Sequence, residues 1–334
     1  MGAGIYPQPQ PDGAAVRSGA ATGHDGFYHE AACYSSDDDF LAMVVPFLDG
    51  GVAAGEPTII AVDERKASLV RSAARDLAGI TFLSNADQYV RPVATIRSFR
   101  TVVADHLAAG VKQIRIVGEV PPLGLGIAWD GWARYESVIN VAYHDFPLWT
   151  LCVYDRRNAP EHVLADVART HSHVATADGG HSVNEAFQEP AAFLVGRPAP
   201  PADPLEATSP AVELVDPLPS NARRAVADLG RRSNIGADAL GDLATSVSEV
   251  VTNGLLHGRP PVVLRAWVVP ERLVVTVTDA GSGPVDPFVG MVAGSAGSPH
   301  GGFGLWLVHQ LCDRVSMDSG DHGFTVRLVA GQDG

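Results

Sequence analysis

Cysteine is scarce in this chain: Cys33, Cys152 and Cys312 are the only three among 334 residues. They lie far apart, so no disulfide framework is spelled out, and a reducing cytoplasm is the expected compartment. Basic residues are scarce too. Lys and Arg number 24 against 38 Asp and Glu, a formal net charge of −14. Phosphate backbones are held by clustered cations, and no basic run offsets this balance, so direct nucleic-acid binding is not expected. No apolar stretch reaches the roughly 18 residues that mark a membrane span. The opening MGAGIYPQPQPDGAAVRSGA lacks the charged-then-apolar order of a signal peptide. What remains is a chain with 46% apolar residues, long enough for two packed domains.

The pattern along the chain divides it in four. Residues 1–22, rich in Gly, Ala, Pro and Gln, are expected to be disordered. Over 23–185, short apolar runs (EPTIIAV, GITFLSN, VKQIRIVGE, LWTLCVYD) alternate with segments of helical period (FLAMVVPFLDGGVAA, IRSFRTVVADHLAAG, WARYESVINVAY). That alternation predicts βαβ units and a mostly parallel sheet covered on both faces. Residues 186–210, including EPAAFLVGRPAPPADPLEATSPA, read as a Pro-rich linker. Over 211–334, helices followed by paired strands predict a two-layer α/β sandwich.

The first domain has nucleotide-like topology but no phosphate loop. Its first strand runs into EAACYSSDDDF, not G-x-x-x-x-G-K-[ST], and three consecutive aspartates would repel a triphosphate. Ser35 or Ser36 is instead suited to cap the next helix, with Asp37, Asp38 and Asp39 in its first turn. Open parallel sheets bind ligands beyond the C-terminal strand ends, which here place Cys33 to Ser36, Asp63, Asn85, Glu119 and Asp155. Trp132, Tyr135 and Ile139 recur at helical spacing and read as core. His29, Cys33, Cys152, His171 and His173 form no C-x-x-C or H-x-x-x-H pattern. Buried thiols and solvated histidines are therefore expected there, in preference to a metal or haem site.

Three pieces of the second domain carry chemistry. In SEVVTNGLLHG, Glu249, Asn253 and His257 are spaced i, i+4, i+8 and share one stripe of a helix, beside an apolar stripe formed by Leu243, Val247, Val250 and Val251. In VTDAGSGP, a strand ends in Asp279 followed by Gly281 and Gly283; in GGFGLWLVHQL, Gly302 and Gly304 precede a helix. A carboxylate at a strand end can accept the exocyclic amine of a purine. Glycines let backbone approach a nucleotide, helix N-termini suit phosphate, and an amide oxygen suits Mg2+.

Together these pieces resemble the N, G1 and G2 boxes of the GHKL ATP-binding fold (the Bergerat fold) shared by histidine kinases, Hsp90-type chaperones and anti-sigma-factor kinases. SEVVTNGLLHG and GFGLWLVHQLCDRV are most similar to the anti-sigma switch-kinase branch. The resemblance implies ATP as cofactor, Asn253 as the Mg2+ ligand and Asp279 as the adenine contact. It places Gly281, Gly283, Gly302, Gly304 and Leu305 along the nucleotide, residues 284–300 as a lid, and Glu249 as general base. For His257 it leaves two roles open, a phosphate-side contact or a helix-end residue favoured by the dipole. The segment before this domain has no long amphipathic hairpin to carry a phospho-acceptor histidine. The expected activity is thus that of a protein serine/threonine kinase acting on a STAS-type anti-anti-sigma protein, possessing a surface that also suits a sigma factor. The alternatives are ATP-dependent sequestration without transfer and a degenerate sensor histidine kinase.

The run HEAACYSSDDDFLAMVVPFLDGGVAAGEPTIIAV, with RIVGE, WARYESVIN and LCVYDRRNAPEHVLADVARTHSHV, resembles the MEDS domain, the sensory module of methanogen and methylotroph regulators. It implies a RecA-like sheet without a phosphate loop that senses a small molecule. The expected whole is a cytoplasmic, homodimeric signalling protein in which this sensor controls the kinase.

Overall fold

A computed structural model describes residues 17–120, 129–293, 303–321 and 323–331. The chain divides into two units, the first ending at Val195 and the second beginning at Gly196. No helix among the described residues is long and apolar enough to cross a membrane.

In the first unit the elements run β1 (Tyr28–Tyr34), α1 (Asp37–Ala53), β2 (Thr58–Val62), α2 (Glu64–Ala73), β3 (Ile80–Ser84), α3 (Asn85–Gln88), α4 (Pro92–Ala108), β4 (Ile114–Gly118), α5 (Trp129–Ala142), β5 (Leu148–Asp155), α6 (Glu161–Thr170), β6 (His173–Ala175), β7 (His181–Val183) and α7 (Pro190–Val195). The sheet order is β3-β2-β4-β5-β1-β6-β7, parallel throughout except where β7 folds back on β6. Strands β2 and β4 are buried along their whole length. That burial is why their sequences are apolar runs without alternation, since helices cover both faces. Ser36 caps α1, its hydroxyl accepting from Asp39 N at 3.0 Å, with Asp37, Asp38 and Asp39 in the first turn. Trp132, Tyr135 and Ile139 are core residues, as their spacing predicts.

Three expectations are corrected. The stretch expected to be disordered to residue 22 is packed from Arg17 onward. Arg17 Nε donates to Gln113 Oε1 at 2.6 Å, and Ser18 Oγ accepts from Arg115, a strand residue whose guanidinium also meets Glu56 and the Phe47 carbonyl. A buried guanidinium demands partners, and the N-terminal segment supplies one. Second, His29 and His171 are not solvated but fully buried. Third, the expected linker is in part packed structure: it holds α7, with Phe193 and Leu194 buried, at the end of the first unit and a 3-10 turn at Pro204–Ala207 in the second.

The second unit opens with a 3-10 turn at Pro204–Ala207, followed by β8 (Val212–Val215), α8 (Pro219–Gly230), α9 (Ala237–His257), β9 (Val263–Val269), β10 (Arg272–Asp279), α10 (Phe303–Leu311), β11 (Arg314–Gly320) and β12 (Gly323–Gly331). The sheet is antiparallel in the order β11-β12-β10-β9-β8. Alternate residues Leu273, Val275 and Val277 face a core shared with Val226 of α8, Val247 and Val251 of α9 and Val308 of α10. One covered face gives the two-layer sandwich its period-2 strands. On the other face the 3-10 turn lays Leu205 against Trp267, Val274 and Val329. Asp203 pairs with Arg272 at 3.3 Å, and Arg327 donates to both carboxylate oxygens of Glu206 through Nε and Nη2. The Pro-rich segment is therefore anchored because its acids have strand arginines to meet.

Gly323 opens β12 at φ +109°, opposite the end of β10, and a side chain there would overlap the Asp279 carbonyl oxygen. Gly323→Ala is expected to destabilise the second unit by about 2–5 kcal/mol, combining left-handed strain with a backbone clash. Denaturant unfolding of this unit checks it. An unchanged midpoint would mean that the hairpin tolerates a different path.

Candidate functional site

Helix α9 is the spine of the site. Glycines bound it, Gly236 as N-cap and Gly258 as C-cap, and its apolar face, Leu243, Val247, Val250, Val251 and Gly254, packs into the core. Glu249 and Asn253 flank that face and are half-buried; His257 is the last helical residue and is exposed. No described residue offers a hydrogen-bond partner to the side chain of Glu249 or Asn253. A half-buried carboxylate and amide with open valences are costly unless a ligand or water meets them.

Strand β10 delivers Asp279 to the C-terminal end of this helix. The side chain is 7% exposed. Its Oδ1 accepts from Arg259 N at 3.0 Å and Gly281 N at 2.7 Å, and Ala280 N donates to Arg259 O at 2.8 Å. These bonds zip the exit of α9 to the turn after β10. Among the described residues Oδ2 has no partner, so one carboxylate oxygen holds the loop and the other is free to accept. Glycine walls this carboxylate: a Cβ on Gly258 would overlap the carboxyl group, and one on Gly281 would stand 2.6 Å from Oδ1. Gly283, at φ +75°, turns the chain over the Phe324 ring, where a side chain has no room.

The start of α10 supplies the third piece. A Cβ on Gly304 would lie 3.0 Å from Glu249 Oε2 and 3.4 Å from Asn253 Nδ2. Gly304 thus brings bare backbone to the two open side chains of α9, and Leu305 packs partly into the core beside it. Asn253 and Gly258 are separated by about 7.5 Å along the helix axis. The free oxygen of Asp279 and the Glu249–Asn253 pair therefore occupy successive stations along one helix. Gly302 and residues 294–300 of the expected lid lie outside the described residues. The described part of the lid meets α10 at Gly290, where a Cβ would lie 3.2 Å from Leu305 Cβ and 2.8 Å from the His309 ring. Burial pushes His309 down to about 4, so the ring is neutral at physiological pH. Gly258 and the Arg259 amide were not among the sequence candidates. The helix-ending glycine is the signal that points to them.

In the first unit the strand ends hold the acids that the sequence places there, and cations meet them. Lys66 bridges Asp63 at 2.5 Å and Glu119 at 2.7 Å; Arg157 bridges Asp155 at 2.7 Å and Asp37 at 3.0 Å. Burial pushes Glu119 up, against the pull of the Lys66 ammonium. Where a phosphate loop would leave a cradle of amides, this sheet has an ion-pair network.

Residues 28–172 match the MEDS family, the MEthanogen/methylotroph, DcmR Sensory domain, and residues 216–330 match the histidine kinase-like ATPase domain. No curated protein matches the chain. Among solved structures, the RsbU and RsbW domains of Rv1364c from Mycobacterium tuberculosis match at 16% identity, with a TM-score of 0.28 over 37% of this chain. The chain spans about a third (33%) of the length of that relative.

Proposed function

We propose that this chain, a MEDS sensory domain joined to a histidine kinase-like ATPase domain, is an ATP-dependent protein serine/threonine kinase of the anti-sigma type, whose substrate is a STAS-type anti-anti-sigma protein. The observation that carries the reading is the convergence on α9: the free oxygen of Asp279 at its end, and Glu249 with Asn253 against the bare backbone of Gly304. The donor set fits the nucleotide. Asp279 Oδ2 accepts the adenine amine, with Gly281 and Gly283 passing close to the base. Asn253 would hold Mg2+ through its amide oxygen, and the ion would supply neutralisation of phosphate charge.

Glu249 stands one turn before Asn253, at the phosphate end. A substrate serine hydroxyl gives its proton to the Glu249 carboxylate as its oxygen bonds to the γ-phosphorus. The bond from that phosphorus to the β–γ bridging oxygen breaks, and ADP leaves. His257 lies at the helix terminus and is exposed.

Upstream of α8, the described chain forms a 3-10 turn and the edge strand β8 rather than a helical hairpin. This favours transfer to a separate protein over transfer to a histidine of the same chain. The test is incubation of the full chain with γ-labelled ATP and Mg2+, with and without STAS proteins from the same genome. Acid-stable label on a serine or threonine of a STAS protein is the expected result. Acid-labile label on the chain itself would replace this reading with a histidine kinase. ATP binding without any label would replace it with a nucleotide-gated sequestering module.

A further inference from the structure

Four side chains far apart in sequence meet in the interior of the first unit: His29 of β1, Glu136 of α5, Cys152 of β5 and His171 just after α6, all buried. Their ligand atoms lie within 4.8 Å of one another. His29 Nε2 is 3.3 Å from Glu136 Oε2 and 3.5 Å from Cys152 Sγ; His171 Nε2 is 3.5 Å from Glu136 Oε2.

The surroundings fix which atoms carry lone pairs. Asn140 Nδ2 donates to the carbonyls of Glu136, Ser137 and Thr170, so its Oδ1 can only accept, and it accepts from His29 Nδ1 at 3.0 Å. His171 Nδ1 donates to the Val167 carbonyl at 2.9 Å. Both imidazoles are therefore Nδ1–H tautomers with bare Nε2 atoms turned inward. The Tyr154 hydroxyl donates to Glu136 Oε1 at 2.7 Å, leaving Oε2 to face the two nitrogens. His171 Nε2 and Glu136 Oε2 are buried with no hydrogen-bond partner.

Separations of 3.3–3.5 Å are long for a hydrogen bond between a carboxyl group and a ring nitrogen. These separations, with the 3.5 Å from His29 Nε2 to Cys152 Sγ, match three of the six edges of a tetrahedron around zinc, about 3.3–3.7 Å for Zn–N near 2.0–2.1 Å and Zn–S near 2.3 Å, while the remaining pairs lie within 4.8 Å. The outer contacts are those that orient metal ligands: each ring nitrogen away from the centre bonds to a carbonyl oxygen, and the carboxylate takes a tyrosine hydroxyl. We propose that His29, Glu136, Cys152 and His171 form a buried four-ligand site for a divalent cation of the zinc class, joining β1 and β5 to the helical layer of the sensory unit. With four protein donors and no exposed edge, the site is closed, so occupancy itself sets the rigidity of this unit.

The test uses the full chain, stripped by chelator and titrated with Co2+ as a spectroscopic stand-in and with Zn2+. The expected result is one Co2+ per chain, with the intense visible bands of tetrahedral cobalt and a thiolate-to-cobalt charge-transfer band, all displaced by Zn2+. Cys152→Ser should remove the charge-transfer band and Cys33→Ser should keep it. Asn140→Leu, which frees the His29 tautomer, should weaken affinity about 10–100-fold. Failure of the unaltered chain to retain Co2+ or Zn2+ at micromolar concentration would overturn the proposal, leaving a protonated Glu136 shared with the histidines. A charge-transfer band that survives Cys152→Ser would overturn it equally.

Discussion

Asp279→Asn should weaken ATP binding severely while leaving the second unit folded. The two oxygens of this carboxylate have separate tasks. Oδ1 accepts from the Arg259 and Gly281 amides, and an asparagine carbonyl can accept both bonds unchanged. Oδ2 becomes an NH2 group, a donor that under the proposed function would face the adenine amine, itself a donor. Losing a hydrogen bond to a charged acceptor costs about 1.5–3 kcal/mol, and a buried donor left unmet costs about 1–3 more. The sum corresponds to a loss of about 10²–10⁴-fold in affinity. Calorimetric titration with Mg·ATP reads the loss, and thermal unfolding without nucleotide should be unchanged. Discrimination should move as well, because the new amide can donate to the O6 of guanine, so the ratio of ATP to GTP affinity should fall. Affinity for ATP within about threefold of the parent would remove Asp279 from the base-recognition role. Asp279→Ala is the less informative variant, since it also releases the two amides that join α9 to β10.

Most of this site was legible because it is local. Glu249 and Asn253 declare themselves by helical spacing, and Asp279 by its place at the end of a β-branched run before glycines, whereas His257, on the same stripe, lies exposed at the helix end. Ser36 and its three following aspartates spell a helix start, which the structure contains. What escaped is what depends on long-range pairing. Edge strand β8 is four residues long, and its Val-Glu-Leu-Val alternation is too brief to separate from the preceding Pro-rich stretch. That stretch is anchored by Arg272 and Arg327, more than 60 residues away, so its own composition gives no sign of packing.

The histidine–cysteine–glutamate cluster escaped for the same reason. Its members come from β1, α5, β5 and the residue that follows α6, brought together by the fold without the short spacing that marks a metal motif. One signal was present. Glu136 falls on the helix face of Trp132, Tyr135 and Ile139, at i+4, i+1 and i−3, and is buried with them. A glutamate on an apolar face needs a partner, and that partner is what the spacing of the aromatic residues hid.

The second large effect separates transfer from binding. Glu249→Gln should bind Mg·ATP within about twofold of the parent and transfer phosphate about 10²–10⁴-fold more slowly, the range expected when a general base is lost. The isosteric amide preserves contact with Gly304, where a Cβ would stand 3.0 Å from Glu249 Oε2, so the floor of the site is unaltered. Asn253→Ala should behave differently, losing the Mg2+-dependent part of the affinity, so that adding Mg2+ no longer tightens binding. The contrast matters because the two residues lie one turn apart on α9 and a general disturbance of the helix would affect both alike. Equal transfer by Glu249→Gln and the parent would dismiss the base role, leaving Mg2+ and positioning to account for catalysis. Loss of binding in Glu249→Gln as severe as in Asn253→Ala would assign Glu249 to the nucleotide instead of the substrate hydroxyl. Binding retained together with slowed transfer, read on the same preparation, is the combination that a kinase requires and a sequestering module has no reason to display.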